Sequence, residues 1–401
     1  MNRQQRIILF LLASINFTHI LDFMIMMPLG NYLMPFFDIT PRAFSMLVGA
    51  YPLTAFFSSF IAAFFVDRFD RKKVLLFAYA GFLIGTLACG LAPTYGLLLG
   101  ARVLTGLFGG LIGAQVMSII ADIFGYEKRG AAMGAVMSSF AIASSVGVTF
   151  SLYLSNIFSW HAPFIFVVLM GVVLLPFLFR YIPSMVLHLE NRAAKRHPLQ
   201  AIIHVINNRA QRLALLFSSL VMMGHFLIIP FINPYLEFNK GFSKDLTPLI
   251  YLVGGVSSFV AAFVLGRFSD RTGKLRVFSW AVFFSFFMVW LITDLPAVPF
   301  SVVLVFFSAW FIVATGRAVT AQAMISNVVQ PEQRGSFLSF NSSVQQLGTG
   351  IASITAGFIV TEDSTGKLHQ YEWVGYLSIL VLLLGLLLGR YIFGAMDRRA
   401  E

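Results

Sequence analysis

Long apolar runs, separated by short polar turns, follow one another along the whole chain. Most of these runs have about 20 residues or more, the length that a helix needs to cross about 30 Å of hydrocarbon. Because lipid cannot bond to backbone polar groups, segments that span a membrane are expected to be helices. We predict twelve spans, at residues 7–35, 43–66, 73–92, 95–121, 131–156, 161–182, 212–236, 247–268, 275–294, 299–326, 335–360 and 373–395. The predicted fold class is therefore an all-α membrane protein.

The composition and the distribution of charge agree with this prediction. Hydrophobic residues make up 58% of the chain and charged residues only 11%, whereas soluble proteins have about 25% charged residues. Lys and Arg concentrate in alternate turns, and the turns between them hold only Arg42, Lys240, Lys244 and Lys367. Since cytoplasmic loops are enriched in Lys and Arg, both termini are predicted to be cytoplasmic. The net charge of +11 thus reflects topology, and no nucleic-acid partner is expected.

A charged phrase occurs twice, at similar places in the two halves of the chain. Asp67 and Arg68 in the first copy correspond to Asp270 and Arg271, 203 residues later, and each copy lies where an apolar run meets a basic turn. Such a repeat indicates a duplicated helical bundle, an arrangement common in transporters. We predict an N-terminal six-helix bundle at 1–182, a cytoplasmic linker with a basic amphipathic pattern at 183–211 and a C-terminal six-helix bundle at 212–401.

The second copy begins at Gly266 and reads Gly-x-x-x-Asp-Arg-x-Gly-Lys, which resembles the signature loop of the major facilitator superfamily. The first copy keeps the Asp-Arg pair but has Ala63 and Asp70 where the family has glycine. Arg102, followed four residues later by Gly106, also resembles the family pattern. The resemblance implies a twelve-helix secondary transporter made of two six-helix bundles. Spans one, four and five look most like those of proton-coupled drug and sugar efflux permeases.

The resemblance also implies a conformational lock at the cytoplasmic ends of the helices. In the family, the loop aspartate, here Asp67, caps the start of span eleven, and a loop arginine pairs with the acid that ends span four, here Asp122. A carboxylate suits a helix N-terminus, and an arginine holds a carboxylate well. A basic turn that only sets topology is the alternative. The residues assigned to the lock are Asp67, Arg68, Arg71, Asp122, Asp270 and Arg271.

Ionisable residues inside predicted spans are costly and usually functional. Asp22 lies near the middle of span one, His19 precedes it by about one helical turn, and Arg102 lies in span four. Counting about 1.5 Å of rise per residue, Asp22 and Arg102 share a level in the bilayer. We expect Asp22, His19 and Arg102 to couple protons to transport. The alternatives are a fixed ion pair that only holds the bundle together, and a histidine that only packs.

The second half carries its own candidates, for which we predict contact with substrate. Arg317 in span ten has no buried acid in an obvious pairing position, so it is a candidate for an anionic substrate group. In the family resembled, spans one, four, seven and ten usually line the cavity. The residues predicted to bind substrate are Arg317, His225, Gln115, Asn233, Tyr235, Gln322 and Gln345. Hydrogen bonding between helices is the alternative role for each.

The function that these patterns favour is proton-coupled export of a small organic molecule by alternating access. The alternatives are a symporter or uniporter of a small metabolite, and a membrane sensor or scaffold that does not transport. The sequence has no phosphate-binding loop, zinc-ligand spacing or nucleophile elbow, so we expect no catalysis, no cofactor and no metal. The expected partners are the small-molecule substrate, protons and the lipid bilayer. We expect a monomer in a bacterial cytoplasmic (inner) membrane.

Overall fold

Helices dominate the computed structural model, which describes residues 1–65, 68–186, 205, 207–329 and 334–397. The described residues of the first half form eight α-helices. They are α1 (Arg3–Ile25), α2 (Gly30–Phe37), α3 (Pro41–Phe65), α4 (Arg71–Gly90), α5 (Tyr95–Ile123), α6 (Tyr126–Ile142), α7 (Val148–Ile157) and α8 (Ala162–Tyr181). A 3₁₀ turn at Met27–Leu29 separates α1 from α2, and a π-helical segment at Ala143–Gly147 joins α6 to α7.

In the second half, the described residues form six long α-helices and a short hairpin. They are α9 (Arg209–Phe226), α10 (Thr247–Thr272), α11 (Lys274–Thr293), α12 (Phe300–Ser326), α13 (Arg334–Ile359) and α14 (Tyr371–Asp397). A 3₁₀ turn at Ile229–Phe231, one helical turn at Ile232–Pro234 and a π-helical segment at Tyr235–Asn239 continue the direction begun by α9. Between α13 and α14, the strands β1 (Thr361–Glu362) and β2 (Leu368–His369) pair antiparallel.

Side-chain caps mark where several helices begin. At the start of α1, Asn2 accepts from the main-chain N–H of Gln5 at 2.7 Å, and the Gln5 side chain bonds back to the main chain of Asn2 at 3.2 Å. Thr94 caps α5, and Asn208 caps α9 by accepting from two main-chain N–H groups. These bonds satisfy donors that the first helical turn leaves unpaired, so each cap fixes the point at which a helix begins.

The helices confirm the predicted all-α membrane fold class. Of the helices in the described part of the chain, eleven are long and apolar enough to cross a membrane. The predicted span 335–360 is also helical, as α13, but it falls outside that set of eleven. Its sequence is more polar than that of the other spans, with Asn, Gln, Ser and Thr spread along it. A helix of this composition needs neighbouring helices to shield its polar side chains from lipid.

The chain divides into two compact units whose boundaries cut through the first two spans. Unit 1 comprises Met1–Met26 and Ala50–Ile202, and unit 2 comprises Met27–Gly49 and Ile203–Glu401. Residues 27–49 therefore belong with the helices of the second half, although they fall inside the predicted bundle 1–182. The predicted bundle boundaries and linker stay predictions, because residues 187–204 lie outside the described residues.

Each passage between the units within these spans lies beside a proline. Pro28 sits in the 3₁₀ turn that ends α1, and Pro52 lies inside α3, three residues after the second boundary. Proline removes a backbone donor and clashes with the preceding turn, so it bends or breaks a helix where it occurs. The first passage thus coincides with the end of α1, whereas the second lies within α3, which runs without interruption through Pro52.

Within unit 1, α4 packs against α5 and α8, and α1 packs against α6 and α8. Within unit 2, α12 packs against α10 and α11, while α9 packs against α13 and α14. Aromatic side chains fill the core of unit 2, where the ring of Phe217 contacts the rings of Phe278 and Phe393, with centroids 5.2 and 5.3 Å away. These packed faces place a few buried polar side chains at fixed positions.

Candidate functional site

A fully buried ion pair joins α1 and α5 in unit 1. Arg102 Nη1 donates to Asp22 Oδ2 at 2.8 Å and to the main-chain oxygen of Asp22 at 3.3 Å. Both side chains are 0% exposed. The structure thus brings together the two residues that helical rise placed at one level. Removing two charges from water is expensive, and their mutual attraction must repay that cost.

The pair is incompletely bonded within the described residues. Asp22 Oδ1 and Arg102 Nε and Nη2 have no hydrogen-bond partner there. The Thr86 hydroxyl lies beside Asp22, and the Cys89 thiol lies beside Arg102. A bidentate arginine would donate one hydrogen bond to each of the two carboxylate oxygens. This one engages a single oxygen, so the second carboxylate oxygen remains available to bind a proton or a hydroxyl.

Tyr51 contacts two of the three residues predicted to couple protons, Arg102 and His19. The sequence alone did not predict this role for Tyr51. Its ring centroid is 4.9 Å from Arg102 Cζ and 6.5 Å from the ring centroid of His19. The face of an aromatic ring attracts a cation, more strongly where water is excluded. Tyr51 therefore gives the guanidinium a second favourable contact besides Asp22.

His19 is buried in unit 1 but forms no hydrogen bond with the ion pair. Its ring lies near the rings of Tyr51 and Phe82, with centroids 6.5 and 6.4 Å away, and its Nδ1 lies 3.4 Å from the main-chain oxygen of Asn16. The geometry favours the packing alternative for His19. Gln115 is buried further along α5, 13 residues from Arg102, which is about 20 Å of helix. It is not part of this cluster.

Three glycines of α5 allow the close approach that positions Tyr51. A Cβ at Gly106 would collide with the main chain of Tyr51, and one at Gly109 would collide with its hydroxyl. A Cβ at Gly110 would meet the main-chain oxygen of Ala55. Small residues at a helix contact let two backbones approach closely. In this way the glycines hold α3 against α5 and set the aromatic ring beside Arg102.

Unit 2 contains a second buried cluster, on α9 and α12. Arg317 is 1% exposed and Trp310 is 0% exposed. The ring of His225 stacks on Trp310 with centroids 5.0 Å apart, and it also lies close enough to Arg317 to interact with its charge. The structure thus brings together Arg317 and His225, both predicted from the sequence, and adds Trp310. Arg317 Nε and Nη1, His225 Nδ1 and Trp310 Nε1 have no hydrogen-bond partner among the described residues.

The other predicted substrate residues of unit 2 are engaged with neighbouring segments. Asn233 donates to the main-chain oxygen of Pro28 at 2.8 Å and accepts from the Tyr251 hydroxyl at 3.2 Å. The Tyr235 hydroxyl accepts from a main-chain N–H at 3.3 Å, and Gln345 donates to a serine hydroxyl of α9 at 2.9 Å. Gln322 is half-buried in α12. Their roles in substrate binding stay predictions, and these bonds are of the alternative, interhelical kind.

Polar contacts also hold residues 27–49 to the second half of the chain within unit 2. Asn31, which is 1% exposed, donates to Glu237 at 2.5 Å. Lys244 forms an ion pair with Glu237 at 3.4 Å and lies over the ring of Tyr32, 4.8 Å from its centroid. Together with the Asn233 bond, these contacts fasten the end of the first span to the end of span seven and the turn that follows it.

The predicted lock contains one ion pair among the described residues. Arg71 Nε lies 2.9 Å from Asp122 Oδ2, so the loop arginine that pairs with the end of span four is Arg71. Arg68 is exposed, and Asp67 lies outside the described residues. The contact joins the first turn of α4 to the last turn of α5. The Arg71 side chain is 9% exposed and that of Asp122 is 35% exposed, so water screens this ion pair only in part.

The second copy of the signature loop lacks the matching acid. Asn327 occupies the position that corresponds to Asp122, 205 residues later. Asp270 pairs instead with Lys274 of its own segment, at 3.5 Å, and Arg271 is exposed. The assignment of Asp270 and Arg271 to a lock stays a prediction.

Asp70, which stands where the family has glycine, ties the first loop to the end of span six. It caps α4 by accepting from the Lys72 N–H at 3.0 Å, and it also accepts from the Ser184 hydroxyl at 2.6 Å and the Met185 N–H at 2.9 Å. Burial alone would raise the pKa of Asp70, but these hydrogen bonds and the charge of Lys73 outweigh it and lower the pKa.

Replacing Asp70 by alanine is expected to lower the free energy of unfolding by about 1 kcal/mol at neutral pH, since a lost N-cap costs about that much. The pKa of Asp70 is lower in the folded protein than in the unfolded chain. Its charge therefore stabilises the fold above the unfolded pKa, and this contribution is lost as the pH falls through the folded pKa. Thermal unfolding in detergent should show the difference between wild type and variant narrowing below about pH 4. The exposed Asp294→Ala is the control, and a pH-independent difference for Asp70→Ala would contradict the assignment.

Comparison with known proteins identifies the family. A sequence model of the Major Facilitator Superfamily matches residues 12–319 and again residues 214–401. The chain is 23% identical over 363 residues to the Uncharacterized MFS-type transporter YbcL of Bacillus subtilis (strain 168), covering 90% of this chain and 89% of that protein. It is 34% identical over 129 residues to Multidrug resistance protein 3 of the same organism, covering 32% of this chain and 25% of that protein.

Among solved structures, the chain is similar to a bacterial homolog of the human lysosomal transporter Spinster, in an inward-facing and occupied conformation. The TM-score is 0.77 at 14% sequence identity, and the match covers 98% of this chain and 97% of that chain. At this identity the likeness concerns the fold. The predicted facilitator fold is therefore confirmed, as is the prediction that the protein is a transporter rather than an enzyme. From its helices, its repeated loop and these matches, we conclude that the chain belongs to the Major Facilitator Superfamily.

Proposed function

We propose that the protein exports a small organic molecule in exchange for protons, by alternating access across a bacterial cytoplasmic membrane. The observation that carries the proposal is the buried pair of Asp22 and Arg102, in which one carboxylate oxygen has no hydrogen-bond partner among the described residues. Intramembrane carboxylates of transporters commonly carry protons. The name of one partial relative, Multidrug resistance protein 3, supports export as the direction.

The chemistry of the pair suits proton exchange. A proton on Asp22 neutralises the carboxylate and removes the attraction that holds Arg102 Nη1. The guanidinium then keeps two weaker contacts, with the main-chain oxygen of Asp22 and with the ring of Tyr51. Losing the ion pair leaves the buried guanidinium with these two contacts and no counter-charge, a costly arrangement that favours a shift of Arg102. Deprotonation restores the pair, and the site alternates between two arrangements.

The ion pair of Arg71 with Asp122 is proposed as part of the switch between conformations. It lies at the ends of α4 and α5 that the positive-inside rule assigns to the cytoplasm. The contacts of Glu237 with Asn31 and Lys244 lie at helix ends that are predicted to face the outside of the cell. Contacts at both ends can each favour one state of a transporter that opens alternately. We propose that the protein works as a monomer with both termini in the cytoplasm.

A uniporter or symporter is the second candidate, and the complete burial of Asp22 and Arg102 favours it. A pair that water does not reach can be purely structural, in which case protons do not exchange there. A membrane sensor that does not transport is the third, and the family membership argues against it.

Proton release from the purified protein decides between these functions. A panel of cationic, neutral and anionic aromatic compounds is added to the protein in weakly buffered detergent, and the pH change is recorded. Export by antiport predicts that a compound displaces protons from the wild type, and that Asp22→Asn binds it without releasing any. Asp294→Asn, an exposed aspartate, is the matched control and should release protons like the wild type. Compound binding without proton release in the wild type would reject antiport in favour of a uniporter.

A further inference from the structure

The cluster of Arg317, Trp310 and His225 in unit 2 has an excess of hydrogen-bond donors. Arg317 Nε and Nη1 and Trp310 Nε1 can only donate, and all three are buried without a partner among the described residues. His225 Nδ1 is likewise unpartnered and donates in one tautomer. Buried polar groups are normally bonded, and a cluster that leaves several donors open requires an explanation.

Helical spacing puts two of these donor side chains on one face of α12. Trp310 and Arg317 are seven residues apart on α12, so they lie on the same face and about 10 Å apart along the axis. His225 comes from α9, which packs against α12. Its ring stacks on Trp310 and lies within electrostatic reach of Arg317. The three side chains therefore border one region between these two helices.

Among the described residues, no carboxylate pairs with the guanidinium of Arg317. No salt bridge joins Arg317 to any residue of the described part of the chain, whereas Arg102 in unit 1 has Asp22. A buried cation without a counter-charge is very costly. The nearby ionisable side chain, His225, cannot supply a negative charge. The missing anion is therefore expected from outside the chain.

We propose that Arg317, with the ring N–H of Trp310 and His225, binds the carboxylate of an organic anion that has an aromatic or other apolar body. This inference rests on the proposed transport function, since it names the substrate class. An arginine fork matches a carboxylate with two parallel hydrogen bonds. A single fixed cation balances one negative charge, which favours a carboxylate over a doubly charged phosphate.

The surroundings fit the apolar body of such a ligand. Phe307 and Phe311 contact the Trp310 ring, with centroids 6.2 and 5.0 Å away, and Phe226 contacts His225 at 5.3 Å. Ligand sites usually combine an apolar lining with a few convergent polar groups. Here the aromatic rings supply the lining, and the unpartnered donors supply the polar groups.

Equilibrium binding to the purified full chain tests the proposal. The probes are radiolabelled benzoate, 2-naphthoate and octanoate, with benzamide and phenyl phosphate as unlabelled competitors. We expect saturable binding of at least one carboxylate, weakened at least tenfold in Arg317→Met and unchanged in Arg267→Gln, an exposed arginine of the same unit. Benzamide should not compete, and phenyl phosphate should compete less well than benzoate. Binding of none of the three carboxylates, or equal binding to Arg317→Met, would overturn the proposal.

Stability without ligand provides a second readout that does not depend on the choice of probe. If Arg317 has no partner in the chain, Arg317→Met removes an uncompensated buried charge, and its thermal midpoint should equal or exceed that of the wild type. A lowered midpoint would reveal a partner within the protein and overturn the inference. The two proposals also fail separately. Carboxylate binding without proton release would support the anion site and reject antiport. Proton release by a cationic compound, without binding of any carboxylate, would support antiport and reject the anion site.

Discussion

Replacing Arg102 by methionine is expected to destabilise the protein by about 3–5 kcal/mol, the cost of leaving one partner of a buried ion pair without its counter-charge. Asp22 would remain 0% exposed and would have lost its 2.8 Å hydrogen bond to Nη1. The loss is large because no water reaches the carboxylate to replace the arginine. Unfolding by SDS titration in mixed micelles, followed by circular dichroism, measures the change.

The double variant Asp22→Leu with Arg102→Met separates the ion pair from the packing. Replacing both members of a buried pair by apolar side chains of similar volume is often neutral or stabilising. The double variant should therefore recover most of the stability that Arg102→Met loses, while losing all proton release. Equal losses in the single and double variants would mean that Arg102 stabilises unit 1 through its packing on Tyr51 rather than through its charge.

The two buried arginines are predicted to behave in opposite ways, although both lie in the fourth span of their half. Arg102 pairs with Asp22 in unit 1, so removing Arg102 leaves a buried carboxylate without its counter-charge. Arg317 has no such acid among the described residues, so its removal relieves a cost. A duplicated bundle would have begun with similar residues in both halves. This divergence fits the two proposals made above, proton exchange at Asp22 in unit 1 and anion binding at Arg317 in unit 2.

The spans could be predicted from the sequence because their signal is local. A run of about 20 apolar residues must be helical in lipid, whatever its neighbours are. The breaks inside the spans were not predicted, because they depend on tertiary packing. Pro28 marks one of them, whereas Pro52 lies within the uninterrupted helix α3, since a proline inside a membrane helix can be tolerated without a break. The π-helical segments Ala143–Gly147 and Tyr235–Asn239 also depend on packing, since a π-helical turn lies inside an otherwise ordinary helical sequence.

The sequence predicted the site residues that are charged and lie inside a span. Asp22 and Arg102 stand out because intramembrane charges are rare, and helical rise was enough to place them at one level. Tyr51 was missed because an aromatic residue in an apolar span is ordinary, and only its ring position beside Arg102 distinguishes it. Asn31 and Glu237 were missed because they lie 206 residues apart, and nothing in either segment indicates the other.

Replacing Gly106 by alanine is expected to destabilise unit 1 by about 1–3 kcal/mol, the usual cost of overpacking a tight contact. The added Cβ would collide with the main chain of Tyr51 and the hydroxyl of Thr54. A backbone atom cannot move aside as a side chain does, so α3 must shift away from α5. That shift also displaces the Tyr51 ring from Arg102, which should weaken proton release as well as lower the thermal midpoint.

Gly113→Ala is the matched control for this prediction, because it lies on α5 two helical turns from Gly106 and its Cβ would meet nothing within 4 Å. Alanine is intrinsically favoured over glycine in a helix by up to about 1 kcal/mol. The control should therefore leave stability unchanged or raise it, so that the same substitution on one helix has opposite signs. If both variants gained stability, the close contact of Gly106 with Tyr51 would not exist in the folded protein, and the position of Tyr51 beside Arg102 would have to be abandoned with it.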